Sequence, residues 1–211
     1  MLVNLSVKDF LEKTAGHDPV PGGGSISALC GSLSAALGEM VTNLTIGRKK
    51  YIEQEEKMQK LAQSFRMYLE YFNRSIDADA SAYNEVFEAF KLPKETEEEK
   101  QFRNNKIQEA SKLAAEVPLM VARKACAIMD SIDEVAKHGN QNAATDTCVA
   151  MMCARTAVLG ALLNVRVNLL SVTDTEYVNQ LTLESNSLEE EAIKKEAQLL
   201  NWIKPFIIYN S

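Results

Sequence analysis

The chain has 211 residues, of which 46% are hydrophobic and 25% are charged, and its formal net charge is −6 at pH 7. This is the composition of an ordinary soluble globular protein, and no linker-like segment divides the interior, so we expect one domain over residues 1–211. The acidic balance argues against nucleic acid as a partner, because phosphate recognition needs a dense basic face. No secretory signal and no membrane-spanning run is found, so we expect no membrane partner and a cytoplasmic location.

The cysteines and histidines predict neither a metal site nor a cofactor. Four cysteines fall in expected helices without Cys-x-x-Cys spacing, which is typical of reduced packing residues. The two histidines, His17 and His138, have no partners at metal-ligand spacing. Each lies beside a glycine motif, so a catalytic proton carrier competes with the simpler interpretation of a surface histidine near a turn.

A short amphipathic helix is expected over Asn4–Leu11, with Ser6 and Asp9 as a capping-box variant. It leads to the motif Pro-Val-Pro-Gly-Gly-Gly-Ser at residues 19–25. Three glycines leave the backbone open to a ligand, and the helix that follows directs its free N–H groups and its dipole at the same spot, which suits an anion or a polarised oxygen. Ser25 is expected to be the N-cap of that helix and to add a hydroxyl. A flexible linker is the alternative interpretation, and the motif matches no nucleotide-binding loop.

Helical periodicity continues through the rest of the chain. Two helices, Ile26–Ile46 and Asn142–Leu163, are rich in small residues, which allow close backbone approach and favour the centre of a bundle or a subunit contact. No alternating Val/Ile/Thr-rich run predicts a strand. The expected fold class is therefore all-α, a multihelical bundle with two small-residue-rich central helices. Another expected helix runs from about Ile52 to Phe90. The next runs from Glu95 to Val117, where Pro118 kinks or restarts it, and continues to Lys137 with Gly139 as its C′ residue. The last begins at Thr173, with Glu176 completing a capping box, and ends near Pro205.

Two carboxylates stand out in uncharged surroundings. Asp146 lies near the start of a helix whose only other charge is Arg155, so it is either a first-turn partner of the helix dipole or a group aimed into a site. Asp77 and Asp79 point about 200° apart on a helix, so only one of them can face the interior. Asp79 shares its face with Tyr83, and a buried pair of this kind needs each other, a water or a ligand as hydrogen-bond partner.

Several of these residues belong to an ordered set of motifs. The set consists of Pro21-Gly-Gly-Gly-Ser25, Asp79-x-x-x-Tyr83, Lys91-Leu-Pro-Lys94, Val117-Pro118, Gly139-Asn140, Asp146 and Asn164-Val165-x-x-Asn168. Together they resemble the cyclodeaminase/cyclohydrolase family, which includes the C-terminal half of formiminotransferase-cyclodeaminase and free-standing bacterial methenyltetrahydrofolate cyclohydrolases. The resemblance extends from about Leu5 to Pro205. It implies an all-α fold, a homodimer and a tetrahydrofolate derivative as substrate, without a formiminotransferase domain.

The resemblance implies one of two reactions at the same carbon. In cyclodeamination, the nitrogen at position 10 of 5-formimino-tetrahydrofolate attacks the formimino carbon and ammonia leaves. In cyclohydrolysis, water attacks that carbon of 5,10-methenyl-tetrahydrofolate to give 10-formyl-tetrahydrofolate. A carboxylate can stabilise the delocalised cation, while a proton shuttle of near-neutral pKa serves the leaving or attacking group. We expect the cyclodeaminase of histidine breakdown, with the cyclohydrolase and a non-catalytic helical oligomerisation protein as alternatives.

Site residues follow from the same resemblance. Asp79 and Asp146 are expected to stabilise the cation and to transfer the proton, and the sequence does not say which residue has which role. His17 and Lys91 are further candidates for carrying the proton. Lys91 and Arg48 are also expected to hold the glutamate tail of the folate. The expected substrate-binding residues are Pro21, Gly22, Gly23, Gly24, Ser25, Arg48, Tyr83, Gly139, Asn140 and Asn164.

Overall fold

The computed structural model describes residues 1–207, in which six α-helices and three short 3₁₀ turns follow one another without a strand. The helices are α1 (Val7–Thr14), α2 (Gly23–Thr45), α3 (Glu55–Lys91), α4 (Glu97–His138), α5 (Ala144–Leu169) and α6 (Thr175–Ile207). The 3₁₀ turns cover Leu2–Asn4, Lys49–Gln54 and Gln141–Ala143. The prediction of an all-α bundle is confirmed.

Helices α2 to α5 form a four-helix ring, in which α2 and α4 each pack against both α3 and α5. Helix α6 lies outside the ring against α5 and α4. Neighbours in the ring run antiparallel: the start of α2 meets Asn164 near the end of α5, whereas Thr45 at its end accepts a hydrogen bond from Asn140 just before α5. Large apolar side chains fill the middle of the ring, among them Phe65, Phe72, Leu119, Ile128 and Met151.

Small residues on α2 and α5 bring the helices close together, as the sequence predicts. A Cβ atom at Gly31 would lie 2.7 Å from the ring of Phe72, and one at Gly38 would lie 2.4 Å from the ring of Phe65. The aromatic rings of α3 therefore occupy the space that side chains on α2 would need. These contacts make α2 a central helix of the bundle.

Several predicted helix ends are wrong. Helix α2 begins at Gly23 with Gly22 as N-cap, so Ser25 lies within the first turn instead of capping it. Helix α6 begins at Thr175, because Asp174 accepts a hydrogen bond from the N–H of Tyr177 and so takes the capping role expected of Thr173.

The prediction for Gly139 is also corrected. This residue ends α4 in an extended conformation, with φ −85°, and not in the left-handed conformation of a C′ glycine. A Cβ atom there would lie 2.5 Å from the carbonyl oxygen of Val135 and 3.2 Å from Oγ1 of Thr45. Glycine is needed at this position because the backbone approaches its neighbours closely.

Pro118 neither ends nor restarts a helix, because α4 is continuous over 42 residues. A proline within a helix has no N–H to donate to the carbonyl four residues earlier, here that of Ala114. The side-chain amide of Asn168 on α5 donates to this carbonyl instead, at 2.8 Å. The neighbouring helix thus supplies the missing hydrogen bond, which explains why the pattern of a helix break is misleading here.

Two segments, Gly23–Thr45 and Gln141–Leu169, are long and apolar enough to cross a membrane when judged by length and composition alone. The sequence analysis predicted no membrane-spanning run. About half of each apolar window, 56% and 50%, is buried inside the bundle, as in the core helices of a globular protein. Such helices are weak evidence for a membrane span.

Candidate active site

A cavity of about 220 Å³ opens where the start of α2 meets α3, α4 and the end of α5. It brings together Gly22–Gly24, which we call the glycine turn, with Asp79 and Tyr83, which the sequence analysis selected separately. Asn164 joins them from the other central helix. The cavity is lined by Pro19, Val20, Gly22, Gly23, Gly24, Asp79, Ala82, Tyr83, Ala114, Asn164, Val167 and Asn168.

The carboxyl group of Asp79 lies directly against the first turn of α2. The hydroxyl of Ser25 is 3.0 Å from Oδ2 of Asp79 and 2.9 Å from the carbonyl oxygen of Ile76, and the backbone N–H of Ser25 also donates to the carboxyl group. A Cβ atom at Gly24 would lie only 1.8 Å from Oδ1 of Asp79. Glycine is therefore the only residue type at position 24 that lets the carboxyl group of Asp79 lie here.

Burial raises the pKa of Asp79, and the hydrogen bonds from the side chain and backbone of Ser25 offset this effect only in part. Within the described chain, no Lys or Arg forms a salt bridge with Asp79, so no cation restores its acidity. A carboxyl group with a raised pKa stays protonated up to a higher pH than usual. Beside a cavity, it can donate this proton to a bound molecule.

The glycine turn adds hydrogen-bond donors to the same cavity. The N–H groups at the first turn of a helix have no intrahelical partners, and the positive end of the helix dipole lies there. At Gly23 a Cβ atom would be 3.2 Å from Nδ2 of Asn164, so the turn packs against this amide. The floor of the cavity is thus polar and can receive a carbonyl oxygen or another polarised atom.

The face of α3 that carries Asp79 continues outward as an aromatic surface. Tyr83 and Phe87 follow at intervals of four residues, with ring centroids 6.5 Å apart and planes inclined by 12°. The next residue at this interval, Lys91, has its Nζ atom 4.1 Å from the centroid of Phe87 and 2.7 Å from a carboxylate oxygen of Glu88. We call Tyr83, Phe87 and Lys91 the α3 track. It leads from the cavity to a cation.

Other residues selected from the sequence lie at the opposite end of the ring. Asn140 bonds to Thr45 and to the carbonyl of Leu44 at the end of α2, and Asp146 is half-buried in the first turn of α5. The rise of α5 places Asp146 about 27 Å from Asn164 along the helix axis. Arg48 and Gly139 belong to this second end as well, so a single chain does not unite the two expected carboxylates.

The remaining sequence candidates have less direct positions. His17 is exposed in the connection between α1 and α2, two residues before the cavity lining begins at Pro19. Pro21 is buried behind the lining, and the bond that precedes it is cis. Among residues 1–207, no three His, Cys, Asp or Glu side chains cluster in a way that could hold a metal ion.

Sequence reasoning missed two features of the site. One is the function of Asn168, which lines the cavity while satisfying the carbonyl of Ala114. A proline in a long helical pattern is the signal that could have revealed a need for an outside donor. The other is Phe87, whose four-residue spacing from Tyr83 was visible in the sequence.

A larger groove, of about 600 Å³, lies between α3 and α4 near their connection. Three of its four charged side chains are paired, Lys106 with Glu109 and Glu88 with Lys91, each at 2.7 Å. The smaller cavity is chemically more informative, because it holds a carboxyl group of raised pKa that no cation neutralises.

The sequence profile of the formiminotransferase-cyclodeaminase family matches residues 6–187. The chain belongs to this family. The resemblance drawn from the motifs is thereby confirmed.

Members of the family differ in length and in the activity their names describe. A methenyltetrahydrofolate cyclohydrolase from Methylorubrum extorquens is 38% identical over 91% of this chain and 92% of its own length. A formimidoyltransferase-cyclodeaminase from Mus musculus is 33% identical over 94% of this chain but only 37% of its own length. The crystal structure of a formiminotetrahydrofolate cyclodeaminase from Thermotoga maritima matches with a TM-score of 0.88 at 25% identity, covering 99% of this chain and all of that one. The chain thus spans nearly the full length of the first and third of these proteins and about a third of the second.

Proposed function

We propose that the protein is a folate one-carbon enzyme that converts 5-formimino-tetrahydrofolate to 5,10-methenyl-tetrahydrofolate and ammonia, with Asp79 as general acid. The observation that carries this proposal is the position of Asp79, a half-buried carboxyl group held between Ser25 and the glycine turn at the edge of a cavity. Family membership and the full-length match to a cyclodeaminase structure support the same conclusion.

The reaction needs a proton at the leaving nitrogen. The nitrogen at position 10 forms a bond to the formimino carbon, and its proton passes to the formimino nitrogen. Protonated Asp79 then gives a second proton to this nitrogen, the carbon–nitrogen bond breaks, and ammonia leaves. The product is a cation, and the carboxylate formed at Asp79 lies beside it as a counter-charge. Burial, which raises the pKa of Asp79, therefore favours both the donation of the proton and the later electrostatic stabilisation.

The second candidate function is the cyclohydrolase reaction, which the 38% identical relative from Methylorubrum extorquens favours. Here water attacks the same carbon of the methenyl cation, and ionised Asp79 would accept a proton from that water. The bond between this carbon and the nitrogen at position 5 then breaks, and the hydroxyl proton passes to that nitrogen as the formyl group forms. The two proposals use the same residues and differ in the protonation state that Asp79 has when the reaction begins. A non-catalytic oligomerisation protein is disfavoured, because such a protein has no need of an unneutralised carboxyl group in an open cavity.

The α3 track offers a place for the rest of the folate. Tyr83 and Phe87 can stack on the p-aminobenzoyl ring, because their rings are parallel and about half-exposed. Lys91 lies at the outer end, where a glutamate tail can displace Glu88 as its ionic partner. In this arrangement Lys91 binds the tail and is too far from Asp79 to carry the catalytic proton, since twelve helical residues span about 18 Å.

The proposal extends to the setting of the reaction. We propose a cytoplasmic location and a step in histidine breakdown as the context of the reaction, with a formiminotransferase supplying the substrate. We also propose a homodimer, because α2 and α5 expose a row of apolar side chains that includes Leu33, Met40, Leu163 and Val167.

An absorbance assay with two folates tests the proposed reaction. Purified protein is mixed with 5-formimino-tetrahydrofolate in one cuvette and with 5,10-methenyl-tetrahydrofolate in another. The cyclodeaminase produces methenyl absorbance and ammonia in the first, and the cyclohydrolase removes methenyl absorbance in the second. If neither changes faster than in a protein-free control, both proposed reactions are wrong.

A further inference from the structure

The hydroxyl group of Ser25 lies between two acceptors on α3. Its oxygen is 2.9 Å from the carbonyl oxygen of Ile76 and 3.0 Å from Oδ2 of Asp79. A hydroxyl group has one hydrogen, so it can donate fully to only one of these acceptors at a time. Ser25 is 0% exposed and lies outside the cavity lining, so its hydroxyl can act on a bound molecule only through Asp79.

Either acceptor can be released by the hydroxyl without being left unpaired. The carbonyl of Ile76 lies inside α3 and accepts the N–H four residues later, so it does not depend on Ser25. The carboxyl group of Asp79 also accepts the backbone N–H of Ser25 and keeps this bond when the hydroxyl turns away. The hydroxyl hydrogen can therefore move between the two acceptors without the cost of an unsatisfied buried group.

The two oxygens of the Asp79 carboxyl group have different surroundings. Oδ2 is bonded to the buried hydroxyl of Ser25, whereas Oδ1 lies against Gly24, which is part of the cavity lining. A proton on Oδ1 leaves the hydrogen bond from Ser25 to Oδ2 in place. A proton on Oδ2 would instead meet the hydrogen that Ser25 offers there. Oδ1 is thus the oxygen from which a proton can reach a bound molecule.

We propose that Ser25 is a positioning residue for the general acid: its hydroxyl group holds Oδ2 of Asp79 and thereby keeps the transferable proton on Oδ1, at the cavity. The inference rests on the proposed function for the use of this proton, but not for the hydrogen-bond geometry. It gives Ser25 an indirect function in the reaction, in place of direct contact with the substrate.

The hydroxyl of Ser25 can serve both charge states of Asp79. When Asp79 is ionised, the hydroxyl donates to the carboxylate, because a hydrogen bond to a charged acceptor is the stronger one. When Asp79 is protonated on Oδ1, Oδ2 is a neutral acceptor, and the carbonyl of Ile76 competes for the same hydrogen. The carboxyl group keeps one position in both states, so the acid does not have to move when it gives up its proton.

The other groups around Asp79 do not hold its carboxyl group. Tyr83 shares its face of α3, and His17 and Asp18 lie in the connection before the cavity lining. The first four turns of α2 carry no charged side chain, and α4 and α5 contribute only uncharged residues to the lining. Burial raises the pKa of Asp79, and the hydrogen bonds from Ser25 are what lower it.

Two buried serines of α2 provide a matched test. Ser27→Ala is the control for Ser25→Ala, because the hydroxyl of Ser27 donates to the carbonyl of Gly23, at 2.7 Å, and not to Asp79. The pKa of Asp79 is measured in each protein by carbon NMR of its carboxyl group, which needs no turnover. It should rise by about one to two pH units in Ser25→Ala, because the lost hydrogen bond favours the ionised form, and should stay at the wild-type value in Ser27→Ala. An unchanged pKa of Asp79 in Ser25→Ala would overturn the inference.

Turnover of 5-formimino-tetrahydrofolate gives a second measurement. In Ser25→Ala, kcat should fall by about 10-fold or more with KM little changed, because Ser25 holds the acid and does not touch the substrate. The pH above which kcat/KM declines should move upward together with the pKa of Asp79, whereas Ser27→Ala should keep the wild-type profile. A raised KM with an unchanged kcat and pH profile would show direct substrate binding and overturn the inference.

The NMR titration separates failure of this inference from failure of the proposed function. If the wild type does not turn over the folate, the proposed function is wrong, while the pKa of Asp79 still decides whether Ser25 holds the carboxyl group. Ser25→Cys is measured beside Ser25→Ala, because it keeps nearly the size of serine with a weaker donor and guards against misfolding. It should give a pKa of Asp79 between those of wild type and Ser25→Ala. A folded Ser25→Cys protein with the wild-type pKa would overturn the inference.

Discussion

Gly24→Ala is the substitution that most sharply separates the position of Asp79 from the stability of the fold. The new Cβ atom would lie 1.8 Å from Oδ1, 2.4 Å from Cγ and 2.7 Å from Oδ2 of Asp79. Ordinary contacts of a Cβ atom begin at 3.4 Å, so the carboxyl group must retreat by roughly 1.6 Å. It then loses its hydrogen bonds with Ser25.

The size of the effect follows from this displacement. A misplacement of about 1 Å can cost 10²-fold in rate when the group must meet a reacting atom, so kcat is expected to fall by about 10²-fold or more. The fold should tolerate the change, because alanine is better than glycine in a helix by up to about 1 kcal/mol, which offsets the lost hydrogen bonds. The melting temperature should therefore change by only a few degrees.

The assay compares kcat, KM and thermal unfolding of wild type, Gly24→Ala and Gly23→Ala. The Gly23 variant is a matched control, since its Cβ atom would lie 3.2 Å from the movable amide of Asn164 and requires a shift of only a few tenths of an ångström. We expect Gly23→Ala to keep turnover within a few-fold of wild type. Normal turnover of Gly24→Ala would refute the reasoning, because the carboxyl group cannot keep its position in that variant.

Three further predictions concern stability and substrate affinity. Because burial raises the pKa of Asp79, the native state loses stability as the pH rises through that pKa. Asp79→Asn should therefore have a higher melting temperature than wild type at about pH 8, and the difference should shrink towards about pH 4. An equal difference at both pH values would contradict a raised pKa of Asp79. Asn168→Ala leaves the carbonyl of Ala114 without a donor and should cost about 1–3 kcal/mol in urea unfolding; an unchanged midpoint would count against this bond. Lys91→Ala should raise KM more than it lowers kcat, most for polyglutamylated folate, whereas Lys100→Ala should change neither; equal effects of both would exclude the α3 track.

The sequence predicted those parts of the site that depend on local patterns. Gly22 to Gly24 lie at the start of a helix, although Gly23 and Gly24 belong to its first turn and not to a loop before it. Asp79 and Tyr83 share a face because four residues make about one helical turn. Asp77 points elsewhere, as expected, and accepts hydrogen bonds from the N–H groups of Leu2 and Val3. Periodicity determines such relations within one helix, so they can be predicted without knowledge of the tertiary structure.

Relations between helices could not be predicted in this way. Nothing in the local pattern says that Asn168 of α5 would supply the donor missing at Pro118, so a helix break was the reasonable expectation. Likewise, Ser25 has the side chain of a typical N-cap, but its hydroxyl donates to the carbonyl oxygen of Ile76 and to the carboxyl group of Asp79, both on α3. The separation of Asp146 from Asp79 follows from the antiparallel order of the ring, which motif spacing does not contain.

The most direct test of the central claim, that Asp79 is the acid of a folate one-carbon reaction, is a comparison of two neighbouring aspartates. Turnover of 5-formimino-tetrahydrofolate is measured for wild type, Asp79→Asn and Asp77→Asn, with folate affinity and melting temperature for each. Asp77 is the matched control, because it lies on the same helix but holds the N-terminal segment. We predict that Asp79→Asn lowers kcat by about 10²-fold or more with affinity little changed, and that Asp77→Asn turns over like wild type. Equal turnover of wild type and Asp79→Asn would contradict the claim.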